Sequence, residues 1–296
     1  MTTLTEAEKQ SFAETGCITL PHAVTAQQAE ALRETFAGWV EESRSHDTPY
    51  GESYDGRARF DVEPGHSAKH PALRRVASPT EIASAYWDVV RNSRMTEMVA
   101  DLIGPDVRFH HSKINSKLPG TATTVKWHQD FTFDPHSNDD VITALLFMDD
   151  VTEENGPLQV VPGTHRGKLY SLWQNGTFTG AIDPDASEVL EAQSETVTGP
   201  AGSVCLMHGR LAHASAANSS QAPRTLFISV FAAADAIPLA PNPVPSQHMG
   251  EIVHGKEPGR VRSVPFEMEL PEFPKGASFF AQQAAQTSQT KSGHPV

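Results

Sequence analysis

Apolar positions fall into two textures along the chain. Up to about residue 105 they recur at helical spacing, and beyond it they come in short runs rich in β-branched and aromatic residues. Thr5 stands ahead of "EAEKQSFAET" as a helix cap and Gly16 behind it as a stop. "CITL" at 17–20 reads as a short strand. In "TAQQAEALRETFAGWVEES", Ala29, Leu32, Phe36 and Val40 line one helical face, and a further helix is predicted over 79–104. Residues 44–70 are polar and rich in Gly, Pro and Asp. They are expected to form a long loop, of the kind that serves as a lid or binding loop.

From residue 107 onward, "VRFHHSKINSKL", "TTVKWHQDFTF", "VITALLFMDD", "LQVVPG", "SVCLMH" and "RTLFISVFAA" read as strands separated by turn formers. With no regular helical crossovers between them, they predict an antiparallel sandwich or barrel. The expected fold is mainly β with flanking helices: an N-terminal helical layer packed on a jelly-roll core. One domain over 1–270 is expected, with the helical layer about 1–105 and the β core about 106–235. The small, polar stretch 271–296 is expected to be a flexible tail.

Composition narrows the partners. The 296 residues are 38% hydrophobic and 20% charged, ordinary for a soluble globular protein. A formal charge of −13 argues against nucleic acid as a partner. No apolar run is long enough for a membrane span, and the polar start is unlike a signal peptide. Two cysteines, Cys17 and Cys205, are too few for a disulfide framework or a cysteine-based zinc site. A cytoplasmic protein, monomeric or homodimeric, acting on a small molecule is the expectation.

The chemistry centres on "KWHQDF", residues 126–131. In an extended strand His128 and Asp130 share a face. Such a pair can be a hydrogen-bonded surface couple, an acid–base pair or part of a metal site. His213, in "HGRLAHASAANSSQAPR", would complete a two-histidine, one-carboxylate set, which holds non-haem Fe(II) with coordination positions left open. His208 is the rival five residues earlier. Arg224 opens an apolar strand, where alternation with Leu226, Ile228 and Val230 would turn its guanidinium inward. Buried there it needs a carboxylate, and no acid in that strand stands at i±2, so the partner is expected to be a bound cosubstrate.

"WHQD", "VTEENGPLQVVPGTHR" and "HGRLAHASAANSSQAPR", in this order, resemble the phytanoyl-CoA dioxygenase family of Fe(II)/2-oxoglutarate-dependent oxygenases, over roughly residues 10 to 235. The eleven-residue step from His213 to Arg224 matches that family's spacing. The resemblance implies a double-stranded β-helix that uses Fe(II), 2-oxoglutarate and O2. It implies His128, Asp130 and His213 as iron ligands, and Arg224 on the far carboxylate of 2-oxoglutarate. His111, Asn115 and Thr143 become polar contacts to the cosubstrate, while Lys113, Phe131 and Asp134 become candidates to touch the substrate. An acid at 130, where halogenating relatives have a small residue, favours hydroxylation of an unactivated C–H. The alternatives are desaturation or rearrangement at the same iron, or a redox-inert, cupin-like isomerase or hydrolase, against which Arg224 argues. His136 and His165 read as structural, and "ENGP" and "PGTHR" as turns. Substrate clues conflict: Lys113, Lys117 and Arg57 or Arg59 would meet an acidic group, Asp134 a basic one.

Overall fold

A computed structural model describes residues 3–119 and 123–272. Its helices are α1 (Glu6–Thr15), α2 (Ala26–Ser43), α3 (Ser84–Asn92), α4 (Arg94–Ile103) and α5 (Pro184–Glu191). The strands are β1 (Cys17–Leu20), β2 (Tyr50–Glu52), β3 (Ala58–Val62), β4 (Leu73–Ala77), β5 (Val107–Lys117), β6 (Val125–His128), β7 (Val141–Phe147) and β8 (Leu158–Val160). They continue with β9 (Trp173–Gln174), β10 (Thr177–Phe178), β11 (Glu195–Val197), β12 (Val204–His208), β13 (His213–Ser215), β14 (Arg224–Ala233) and β15 (Ile252–His254).

Both long N-terminal helices start as their sequences dictate. Thr5 with Glu8, and Thr25 with Gln28, form reciprocal capping boxes that satisfy amides otherwise left bare. Gly16 closes α1 in the left-handed region, at φ 83°. The helix expected over 79–104 is instead a 3₁₀ turn at Pro79–Glu81 followed by α3 and α4. Ser93 breaks it, extended at φ −114° and ψ 159°. The Met95 amide is drawn out to the Ala23 carbonyl, at 2.9 Å, and the Thr96 hydroxyl bonds the Val90 carbonyl.

The strands build a jelly roll. One nine-stranded antiparallel sheet runs β1-β12-β7-β14-β5-β4-β3-β2, with β15 also on β5, and faces a four-stranded sheet, β11-β8-β13-β6. Residues 44–70 correct the sequence reading, because β2 and β3 arise there and extend the large sheet beyond β4. Their charges misled the hydropathy reading: Arg59 is buried against Glu81, and Asp61 against Arg74. The first 105 residues are therefore helices plus four strands. The stretch expected to form a tail lies outside the described residues from 273 onward.

The large sheet is buried on both faces. Phe109, Ile114, Leu146, Leu206, Phe227 and Phe231 meet Tyr86, Met95 and Met98 of the helices. On the other face Leu145, Met207, Leu226 and Ile228 meet Leu158 and Val160 of the small sheet. That inner core is the thinner one and gives way to polar side chains around β5, β6 and β13. Among the described residues no helix is long and apolar enough to cross a membrane.

Candidate active site

Strand pairing assembles the site from distant segments. His128, the last residue of β6, is the direct cross-strand partner of His213, which opens β13 instead of ending a strand. Gln129 stays extended at φ −120° and ψ 129°, so Asp130 returns to the face of His128 before the chain turns into a 3₁₀ segment. The His128 Nδ1–H donates to the Lys126 carbonyl at 2.8 Å, and the His213 Nδ1–H to the Leu211 carbonyl at 3.0 Å. Both rings therefore present Nε2 lone pairs inward, the tautomer a metal requires. Those Nε2 atoms lie 3.6 and 3.8 Å from Asp130 Oδ1. The three ligand atoms all lie within 4.8 Å of one another. The separations are too long for direct hydrogen bonds and suit a common ion between them.

Electrostatics agrees with that geometry. Burial pulls the His213 imidazole down to about 4, helped by His128, so it is neutral and able to ligate. Burial raises the Asp130 carboxyl, but attraction to His213 and His128 in their protonated forms, and to Lys113, outweighs it and holds the group well below the usual range, so it is ionised wherever the imidazoles are neutral. Thr143 donates to Asp130 Oδ2 at 2.6 Å, leaving Oδ1 to face the histidines. Gln129, absent from the sequence reading, is buried beneath the pair. Its amide donates to the Arg210 carbonyl at 2.6 Å and accepts from the Tyr170 amide at 2.8 Å.

Two connected cavities meet at this cluster. The deeper one is lined by Asn115, Lys117, Thr143, Leu145, His213, Arg224 and Ile228. Register explains the set: Arg224 lies opposite Lys117, Leu226 opposite Asn115 and Ile228 opposite Lys113, so alternate residues of β5 and β14 face inward together. Arg224, 3% exposed, donates through Nε to the Gly156 carbonyl at 2.9 Å. Gly156 has φ 82°, and a Cβ there would strike the Ala216 carbonyl and Lys117 Cδ at 2.8 Å. The "ENGP" turn thus shapes the arginine's bed. Lys117 donates to Ser215 Oγ at 2.8 Å and to the Ala216 carbonyl; burial and Arg224 push its ammonium down to about 6. Asn115 Oδ1 is buried with no hydrogen-bond partner among the described residues.

The outer cavity encloses about 690 Å³ including its mouth. It is lined by Arg57, Arg75, His111, Lys113, Phe131, Phe133, Asp134, Val230 and Val244. His111 presents a buried Nδ1 with no hydrogen-bond partner among the described residues. Phe131 packs edge-on against Phe266, so it is a wall of the cavity as well as a core residue. The Asp134 carboxylate is engaged by His110 Nε2, 2.8 Å from Oδ1. His110 is the extra residue of a β-bulge, lying between the pairs His111–Val230 and Phe109–Phe231. His208 stands outside both cavities, with its ring beside Phe12 and His165. Arg59 is engaged by Glu81.

Arg75 escaped the sequence reading because nothing local marks it. Only its pairing opposite Asn115 turns it inward. Lys117, by contrast, is two residues beyond Asn115 on one strand, so alternation alone places it on the cavity face.

The sequence model of the phytanoyl-CoA dioxygenase (PhyH) family matches residues 12–226. The chain is 38% identical over 185 residues to the "Probable alpha-ketoglutarate-dependent hypophosphite dioxygenase" of Stutzerimonas stutzeri, covering 61% of this chain and 64% of that protein. It is 26% identical to the L-proline trans-4-hydroxylase of Streptomyces griseoviridis, over 75% of this chain and 84% of the other. The crystal structure of EctD from S. alaskensis with bound Fe superposes with a TM-score of 0.64 at 20% identity, covering 90% of this chain and 89% of that one, which establishes the shared fold.

Proposed function

Because this chain belongs to the phytanoyl-CoA dioxygenase family, we propose that it is an Fe(II)/2-oxoglutarate-dependent oxygenase that hydroxylates a small metabolite. The observation that carries this reading is the three-ligand cluster beside a buried arginine: His128, Asp130 and His213 within 4.8 Å, and Arg224 across the deeper cavity. A small substrate accords with relatives named for hypophosphite and L-proline.

The residues fit both groups. His128 Nε2, His213 Nε2 and Asp130 Oδ1 would hold iron on one side and leave the other open, as two histidines and one carboxylate do. Asn115, with its carbonyl unpartnered, and Arg224 stand where a dicarboxylate needs polar company. When bound, iron and 2-oxoglutarate supply the oxidising chemistry: O2 delivers one atom to the substrate and one to succinate, with release of CO2.

The protein's own part is positioning. Thr143 fixes Asp130, and Gln129 fixes the strand end between the two ligands. Arg224, held by Gly156, clamps the carboxylate far from the metal. Lys117, neutral above about pH 6, keeps its hydrogen bonds to Ser215 and Ala216 without adding a second permanent charge beside Arg224. His111 completes the polar wall toward the metal, while Phe131, Phe133 and Val230 exclude water around the reacting position. A redox-inert hydrolase would make no use of the arginine at the deep end.

Anaerobic titration with Fe(II) and 2-oxoglutarate tests the reading. The visible charge-transfer band of the chelate is expected in the wild-type protein, and succinate is expected only with Fe(II), O2 and a substrate. Arg224→Ala should keep the iron and raise the half-saturating 2-oxoglutarate concentration about 10- to 100-fold, the worth of a charge-assisted pair. Stoichiometric iron without the band would sink the oxygenase reading.

A further inference from the structure

Two cations reach the outer cavity without a direct hydrogen-bond or ion-pair partner among the described residues, and carboxylates act on them only at longer range: Asp61 on Arg75, Asp130 and Asp134 on Lys113. Arg75 is 6% exposed, its Nε is buried without a hydrogen-bond partner, and no ion pair reaches its guanidinium among the described residues. The Lys113 side chain, from the neighbouring strand, likewise forms no hydrogen bond or ion pair among the described residues. Both side chains line the outer cavity next to His128 and Asp130, and both also border the deeper one, so they stand where the two meet. A buried guanidinium without a carboxylate is costly, and such groups are normally paired.

The nearby anions are engaged elsewhere. Arg74 binds Asp61 at 2.8 Å and reaches Glu63 at 3.5 Å. Asp55 pairs with Arg57 at 2.7 Å, and Asp134 with His110. Asp130 belongs to the proposed metal set. On the reading proposed above, a divalent ion, the Asp130 carboxylate, dianionic 2-oxoglutarate and Arg224 are together neutral. Arg75 and Lys113 therefore remain as surplus positive charge at the junction of the two cavities, on the side from which the substrate must approach. The opposite walls, Phe131, Phe133, Val141, Val230 and Val244, are apolar.

We propose that Arg75 and Lys113 form the substrate subsite of this enzyme, and that the substrate is a small anion whose oxyanion head bridges the guanidinium and the ammonium. Its remainder, at most a short apolar group, lies against the phenylalanine and valine walls. Phosphonate, phosphinate and carboxylate heads share this chemistry. A cationic amine is disfavoured because two cations face the one lining carboxylate outside the metal set, Asp134, whose Oδ1 is bound to His110 and whose buried Oδ2 alone has no hydrogen-bond partner among the described residues. This inference rests on the oxygenase reading for the place of the substrate, and on the two unpartnered cations for its charge.

The test is anaerobic calorimetry with methylphosphonate, acetate and trimethylamine, on protein loaded with Fe(II) and 2-oxoglutarate and on metal-free protein. One of the two anions is expected to bind, the tighter identifying the head group, with no heat from trimethylamine. Arg75→Met should weaken that binding at least about tenfold, Lys113→Met less, and Arg75→Lys should recover part of it. The half-saturating 2-oxoglutarate concentration should stay within about twofold, and Arg75→Met should melt no lower than the wild type, since it removes an unpartnered buried charge. A purely structural arginine would instead give a lower melting temperature with anion affinity unchanged, and would overturn the proposal. So would loss of 2-oxoglutarate affinity in Arg75→Met, which would assign the residue to the cosubstrate. If loaded protein shows the chelate band yet binds neither anion, the subsite is refuted while the oxygenase stands. If no band forms, the oxygenase reading fails, and the metal-free titration with its variants still decides the anion site.

Discussion

Two clusters in this molecule have the same composition and opposite character. His128, Asp130 and His213 form one; His110, Asp134 and His136 form the other, and each brings two imidazoles and a carboxylate within 4.8 Å. In the second, one carboxylate oxygen is taken by a neighbour: Asp134 Oδ1 accepts from His110 at 2.8 Å, the His136 Nδ1–H donates to the Asp134 carbonyl at 2.9 Å, and only Oδ2 is buried without a hydrogen-bond partner among the described residues. In the first, both Nδ1–H groups are tied to backbone carbonyls, and the Nε2 atoms stand 3.6 and 3.8 Å from Asp130. One cluster is tied together by hydrogen bonds among its own residues; the other is braced from outside and left open within. Residue type and proximity therefore do not define a metal centre. The direction in which hydrogen-bonding capacity is used does.

The largest effect that can break this contrast is on metal uptake. Outer partners of metal ligands typically cost 10- to 100-fold in affinity, so losing a ligand costs more. Asp130→Ala should weaken Fe(II) binding by more than about a hundredfold, measured by anaerobic metal titration. Asp134→Asn should leave Fe(II) affinity within about twofold, while lowering stability by about 1–3 kcal/mol as the charged partner of a buried hydrogen bond is lost. The reverse pattern would exchange the roles of the clusters. Thr143→Val tests the bracing. It removes the 2.6 Å bond to Asp130 Oδ2 at nearly constant volume, so Fe(II) affinity should fall about tenfold. A change in 2-oxoglutarate affinity with iron binding intact would return Thr143 to the cosubstrate.

The same contrast explains what could be read from the sequence. Alternation in "RTLFISVFAA" turned Arg224 inward, and the His128–Asp130 pair followed from two-residue periodicity in an extended backbone, which Gln129 preserves. These are local rules. β2 and β3 were missed because their inward charges, Arg59 and Asp61, are satisfied by Glu81 and Arg74, contacts 22 and 13 residues away that no window records. The Asp134–His110 bond and the pairing of Arg75 opposite Asn115 join segments 24 and 40 positions apart. Asp134 read as a free carboxylate because its partner lies on another strand. Arg75 went unnoticed because an arginine without an ion pair looks the same in sequence as one on the surface.

A pH effect, spread over more than two pH units, again separates the clusters. Burial pushes the His136 imidazole down to about 4 from an ordinary value of 6.5, with Asp134 opposing the shift and His110 reinforcing it. In the folded protein this ring stays neutral while the unfolded chain takes up a proton below about pH 6.5. Unfolding is then favoured progressively as pH falls from 6.5 to about 4, and this group adds no further slope below that. Its share is of the order of 3 kcal/mol across that window. Denaturant melts of metal-free protein at intervals from pH 8 to 4 should show a shallower loss of stability in His136→Gln than in the wild type, with the two curves converging toward acid. Equal slopes would mean that His136 keeps an ordinary affinity for protons. The second cluster would then be a solvated hydrogen-bonded group, and the tied state inferred from its Asp134–His110 bond would be wrong.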